Sequence, residues 1–291
     1  MAEQTREYRD RLFCFIFGSE AHKEWTLSLY NAVNGSNYTD PDGITIATLS
    51  QVVYMGMHND VAFLIADEIN LYEQQSTFNP NMPLRGLMYF AQLYQLYLSS
   101  RGKDLLGSRL VKIPAPSFIV FYNGDRKLPD VSYQKLSDAF EPKGSVKGFE
   151  WTAKVINIGG DHNEDLHKRC KALYDYRSYV NRVKENLKAK MPKEDAVSEA
   201  LDFAITNNLL NGYFKSQKME VLNMSLTEFD QEEYDRNRRE EGFEDGERSS
   251  SQNAARNMLA DGLPLAKISQ YTGLSVEDIQ ALAATVPEPR A

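Results

Sequence analysis

Three polar residues interrupt a stretch that is otherwise apolar enough to be core: Asp60, then Glu73 and Gln75 two positions apart. A buried charge needs a partner or a metal. A bound Mg²⁺ would give two such acids a chemistry. It polarises a phosphate and lowers the pKa of a bound water, and as a hard ion it is satisfied by two protein carboxylates with open positions left for water. Asp60 and Glu73 are therefore candidate metal ligands for phosphodiester hydrolysis, with Mn²⁺ able to substitute. Gln75 offers an amide that could hold the attacking water or a phosphate oxygen, although an amide neither titrates nor ionises. A structural reading stands beside the chemical one: Asp60 caps a strand entrance, Glu73 pairs with a lysine, and Gln75 is solvated.

For the two acids to meet, residues 61–72 must form a hairpin. The run VAFLIA, 61–66, suits a buried strand, Asp67–Asn70 a reversal, and LYEQQS, 71–76, a returning strand. Strand side chains alternate, so Glu73 and Gln75 share one face while Tyr72 and Gln74 take the other. Asn79, Pro80 and Pro83 break this strand ahead of a helix over about 84–99. On that helix Arg85 and Tyr89 lie four apart, hence on one side. In a nuclease they would be candidate DNA contacts; otherwise Arg85 is a surface ion-pair partner and Tyr89 is core.

Further strands are expected at 117–124 and 153–160, and helices at about 6–34, 163–190 and 193–211. The segment 44–55 either holds a strand or leads into one. The sum is an α/β fold with a short mixed sheet flanked by helices. The chain has neither a dinucleotide fingerprint nor a P-loop, so nucleotide cofactors have no support.

The formal net charge of −8 is unevenly spread. Residues 228–247 hold ten carboxylates against three arginines, a net of −7, and 248–291 balance to zero. Residues 1–227 are then close to neutral and could present a basic face to nucleic acid. Two cysteines suggest no disulfide framework, and His162 and His167 read as surface or structural. A secretory leader is not evident, and no apolar run approaches the ~20 residues of a membrane span. A cytoplasmic protein without a membrane partner is the expectation.

The tail divides in two. Residues 228–251 read as an acidic spacer, helical or linker-like. Residues 252–291 read as a small helical unit, with two short helices about Gly273 and a capping box at Ser275 and Asp278. That pair of helices suits either a helix-turn-helix or a packing and dimerisation hairpin.

Residues 58–94, HNDVAFLIADEINLYEQQSTFNPNMPLRGLMYFAQLY, resemble the Rpn/YhgA-like family of PD-(D/E)XK nucleases, recombination-promoting and transposase-like. The likeness continues in KIPAPSFIVFYNG, 112–124, in REEGFEDGE, 239–247, and in the helical unit at 255–282. It implies a restriction-endonuclease-like core over 1–227, with Asp60 as the metal-binding aspartate and Glu73 as the glutamate of the E-x-K element. Gln75 then stands at the superfamily's lysine position, and Glu20 and Glu24 are candidates for a further acid from the N-terminal helix. The implied activity is Mg²⁺-dependent cleavage of DNA linked to recombination or mobile elements, by a chain able to form homo-oligomers. A catalytically weak or inactive DNA-binding or protein-interaction module is the alternative.

Overall fold

In the computed structural model, residues 12–46, 61–141 and 148–283 are described, with the backbone alone for 230–249, 281 and 283. The chain forms two compact units, Met1–Phe229 and Asp230–Ala291.

The first unit is built on a six-stranded mixed sheet. Its strands are β1 (Thr45–Ile46), β2 (Val61–Ile65), β3 (Glu68–Gln75), β4 (Ala115–Tyr122), β5 (Val131–Lys135) and β6 (Thr152–Asn157), in the order β1-β2-β3-β4-β6-β5. β3, β4 and β6 run parallel; β1, β2 and β5 join antiparallel. The helices are α1 (Leu12–Phe17), α2 (Lys23–Asn34), α3 (Met82–Ser100), α4 (Glu164–Arg169), α5 (Lys171–Lys188), α6 (Lys193–Thr206), α7 (Tyr213–Ser216), α8 (Lys218–Ala260), α9 (Leu265–Thr272) and α10 (Val276–Ala283). The result is an α/β fold with a mixed sheet flanked by helices, plus a small C-terminal helical unit.

Two apolar clusters separate the faces of the sheet. Phe63, Tyr72, Ile119 and Phe121 pack with residues of α1, α2, α5 and α6. Leu71, Phe118, Val120 and Tyr122 pack on the other side with Tyr89, Phe90 and Leu93 of α3. The division follows the period-two alternation of β3 and β4. The 13th residue of the chain shows how dense the larger cluster is: the Phe13 ring lies 5.4 Å from Phe121 and 5.6 Å from Tyr176, within the range of favourable aromatic pairs.

Several elements differ from the sequence reading. The hairpin turn is the two-residue pair Ala66–Asp67, both at positive φ (49° and 60°), so Ile65 pairs directly with Glu68. Such turns match strand twist but usually recruit glycine or asparagine, which is why Ala-Asp concealed it. The first helix is broken after Phe17, where a Cβ on Gly18 would lie 2.7 Å from the Cys14 carbonyl oxygen. The helix expected over 163–190 is split at Cys170, whose backbone is extended. The edge strand β5 was not anticipated. Residues 47–60 lie outside the described set, and with them most of the segment 44–55.

Candidate functional site

Gly86 sets the position of α3. A Cβ there would fall 2.4 Å from the Phe118 ring, so only glycine lets the helix lie this close to β4. Arg85 is its immediate neighbour, and the close approach brings that side chain over the end of β3. Arg85 Nη2 donates to Glu73 Oε2 at 3.3 Å and to the Tyr89 hydroxyl at 3.0 Å. With the Gln75 amide oriented so that each atom meets its complement, its oxygen accepts from Arg85 Nη1 at 3.2 Å. Its nitrogen donates to the Thr77 carbonyl at 3.1 Å. Glu73 is fully buried and Tyr89 nearly so, while the Arg85 side chain keeps 21 % of its surface.

Glu73, Gln75, Arg85 and Tyr89 are thus brought together on the α3 face of the sheet. Asp60, the remaining predicted ligand, lies outside the described residues. It is the next residue before Val61, which pairs with Tyr72, the neighbour of Glu73. Glu20, in a 3-10 turn just before α2, and Glu24, in the first turn of α2, are exposed and paired with Lys23 at 2.8 Å and His22 at 3.1 Å. Among the described residues no group of three or more His, Cys, Asp or Glu is placed to hold a metal ion. Glu73 offers a carboxylate whose charge is already met by a guanidinium, and by itself that does not fit a hard divalent ion, which prefers several anionic or carbonyl oxygens. The described side chains that converge on Glu73 instead make a charge-assisted hydrogen-bond cluster.

The opposite side of β3 carries a second polar group. Gln74 Nε2 donates to Asn123 Oδ1 at 2.9 Å, and Lys184 of α5 donates to the Asn123 carbonyl. The string Tyr122-Asn123-Gly124 has a physical reason at each position. The Tyr122 hydroxyl accepts from the Arg126 backbone at 2.8 Å, Asn123 holds Gln74, and a Cβ on Gly124 would strike the Ser76 carbonyl oxygen at 1.9 Å. The loops after β3 and β4 are therefore locked together, which fixes the approach from Gln75 to α3. Sequence reading did not anticipate the Arg85–Glu73 or Gln74–Asn123 pairs; the spacing of Arg85 and Tyr89 was the only available signal.

The two nearby histidines fall in different surroundings. His162 is half-buried and lies 2.6 Å from Asp130. His167 is buried; desolvation, assisted by the charge of Arg177, holds its pKa down at about 4.

In the C-terminal unit the end of α8, α9 and α10 close around Ala255, Ile268 and Ile279, all fully buried. Gly273 ends α9 at φ 71°, and three residues separate α9 from α10. Ser275 Oγ accepts from the Asp278 backbone at 3.1 Å and donates to the Asp278 carboxylate at 2.8 Å, so the expected cap is formed. A short turn between two helices on a shared apolar core is the geometry of a helix-turn-helix. Residues 248–284 match the Rpn/YhgA-like nuclease family, C-terminal HTH domain. This match covers the C-terminal unit and not the sheet. No curated protein and no solved structure matches the chain. On α10 of the HTH unit, Glu277 and Gln280 are exposed, and Lys267 is exposed on α9.

No helix among the described residues is long and apolar enough to cross a membrane.

Proposed function

We propose that the chain is a DNA-binding protein whose nuclease-like core is catalytically weak or inactive. The observation that carries this reading is the HTH match over 248–284, on three helices with a three-residue turn. In such a unit the second helix, α10 here, enters the major groove. Glu277 and Gln280 are of types that read base edges, a carboxylate accepting from cytosine N4 and an amide pairing with adenine. The pairing of Glu73 with Arg85 supports the second half of the proposal, because the carboxylate's charge is compensated from within the protein. The test is fluorescence anisotropy with duplex DNA, comparing the full chain with one ending at residue 247. Binding that needs 248–291 and changes its sequence preference in Glu277→Ala or Gln280→Ala supports the proposal. Equal binding by the shortened chain counts against it.

A second reading, metal-dependent DNA cleavage by a PD-(D/E)XK-type core acting in recombination or on mobile elements, has its own support. Glu73 and Gln75 share one strand face, and Asp60 directly precedes the strand paired with theirs. The matched family is also named for nucleases. Under this reading Asp60 and Glu73 hold Mg²⁺, Gln75 positions water or phosphate, and Arg85 and Tyr89 face the DNA. Nicking of supercoiled plasmid that requires Mg²⁺ or Mn²⁺, and that Asp60→Ala and Glu73→Ala abolish without unfolding the protein, would establish it.

A further inference from the structure

The loop between α3 and β4 combines cations with exposed leucines. Residues 101–112, RGKDLLGSRLVK, carry four cations and one acid in a chain whose net charge is −8. Leu106 is 95 % exposed, Leu110 88 % and Leu105 67 %. Single exposed leucines are ordinary, but three within six residues form a patch that calls for a partner.

The loop is also constructed to present them. Lys103 Nζ donates to the Lys112 carbonyl at 2.7 Å and ties its two ends together. Tyr97 on the last turns of α3 holds the base, with Arg101 Cζ 4.5 Å and Lys103 Nζ 5.2 Å from its ring centroid. The Tyr94 hydroxyl donates to the Pro114 carbonyl at 2.8 Å, and Asp104 accepts from the Leu106 backbone at 2.8 Å. A loop with closed ends and internal hydrogen bonds presents its tip at a smaller ordering cost than a slack one.

We infer that loop 101–113 is a second DNA-binding element, in which Arg109 and Lys112 hold backbone phosphates while Leu105 and Leu106 wedge into the minor groove. This rests on the DNA-binding reading above and assigns part of that binding to the core. The HTH-bearing segment 248–291 is neutral overall, so it brings little of the counterion release that drives DNA affinity. The loop's net charge of +3 supplies it. Apolar side chains that unstack a base step and bend the duplex, flanked by cations on the phosphates, are a general mode of minor-groove binding. Protein–protein interfaces, by contrast, are depleted in Lys and Asp, whereas here Lys103, Asp104 and Lys112 flank the leucines.

The test uses the full-length protein, a random-sequence duplex of about 30 base pairs with dyes at both ends, and a salt titration. Arg109→Ala/Lys112→Ala should weaken binding about tenfold near 100 mM salt and lower the slope of log affinity against log salt by about 1.8. Leu105→Ser/Leu106→Ser should leave that slope unchanged and return the end-to-end energy transfer to that of free DNA. All four side chains are exposed, and thermal melts should match the parent protein. Double variants that retain the parent's affinity, slope and energy transfer would overturn this inference while leaving DNA binding through the HTH unit intact. If the parent protein binds no DNA, both readings fall. Two other results also overturn the inference: tighter partition onto phosphatidylserine vesicles than onto the duplex, and a parent dimer that the leucine variant converts to a monomer.

Discussion

Around Glu73 the polar groups face one another: a guanidinium donates to a buried carboxylate, an amide and a phenol. In the C-terminal unit the arrangement is reversed, with an interior of Ala255, Ile268 and Ile279 and with Lys267, Glu277 and Gln280 at the surface. The contrast bears on function, because groups committed inward stabilise and orient, whereas groups facing solvent can meet a partner at little cost of rearrangement. It also bears on recognition between sequences. A helical unit is defined by apolar spacing and a turn glycine, which persist as a pattern, whereas the corner depends on a few atoms brought together by Gly86 and Phe118.

The sharpest way to break the comparison is to remove one side of it. Deleting 248–291 should reduce affinity for a specific duplex about a hundredfold, given that specific binding exceeds non-specific binding by several orders of magnitude. The sheet unit should keep its cooperative melt. Loss of that melt would show that the two regions do not fold separately.

A smaller effect is expected at the corner. Arg85→Met removes the cation from buried Glu73 and should cost about 3 kcal/mol, toward the low end for breaking a buried pair because Arg85 is partly solvated. Glu73→Gln in the Arg85→Met background should recover much of it. Chemical denaturation of the three variants checks this, and a loss below about 0.5 kcal/mol in Arg85→Met would mean that the pair behaves like a surface salt bridge.

Acid stability distinguishes the regions by a different route. His167 in the sheet unit has its folded pKa lowered to about 4 from an ordinary value of 6.5. Its contribution is therefore complete above pH 6.5 and is lost as pH falls toward 4, by at most about 1.4 kcal/mol per pH unit. Glu164, also lowered, first by its hydrogen bond from Arg177, adds a loss at the acid end of that window. Melts at pH 7 and pH 5 should show a smaller difference in His167→Asn than in the parent protein.

The smallest expected effect lies in the HTH unit. Ser275→Ala deletes the cap on α10 and should cost that unit about 1 kcal/mol. Hydrogen exchange at α10 should report it without a change in β3.

Legibility from sequence followed the same physical division. β2 and β4 were readable because strands buried in a sheet are apolar runs, whereas β3, EINLYEQQ, carries five polar residues and was legible as the return strand of the β2 hairpin. β5 was missed because VSYQK is an edge strand that alternates exposed and half-buried residues and carries little apolar signal. The shared face of Glu73 and Gln75 follows from period two alone. The Arg85 partnership does not, since it depends on how closely α3 settles on β4. The break at Cys170 left no signal because the residues on both sides of it favour helix.

The most direct measurement of the central claim is one agarose gel of supercoiled plasmid with the full chain and excess Mg²⁺, run as a time course beside Glu73→Ala. The account predicts retarded supercoiled DNA, identical for both proteins, with no growth of the nicked band. Nicked and linear forms that accumulate with the parent chain and are absent with folded Glu73→Ala would contradict it and make the sheet corner a working nuclease.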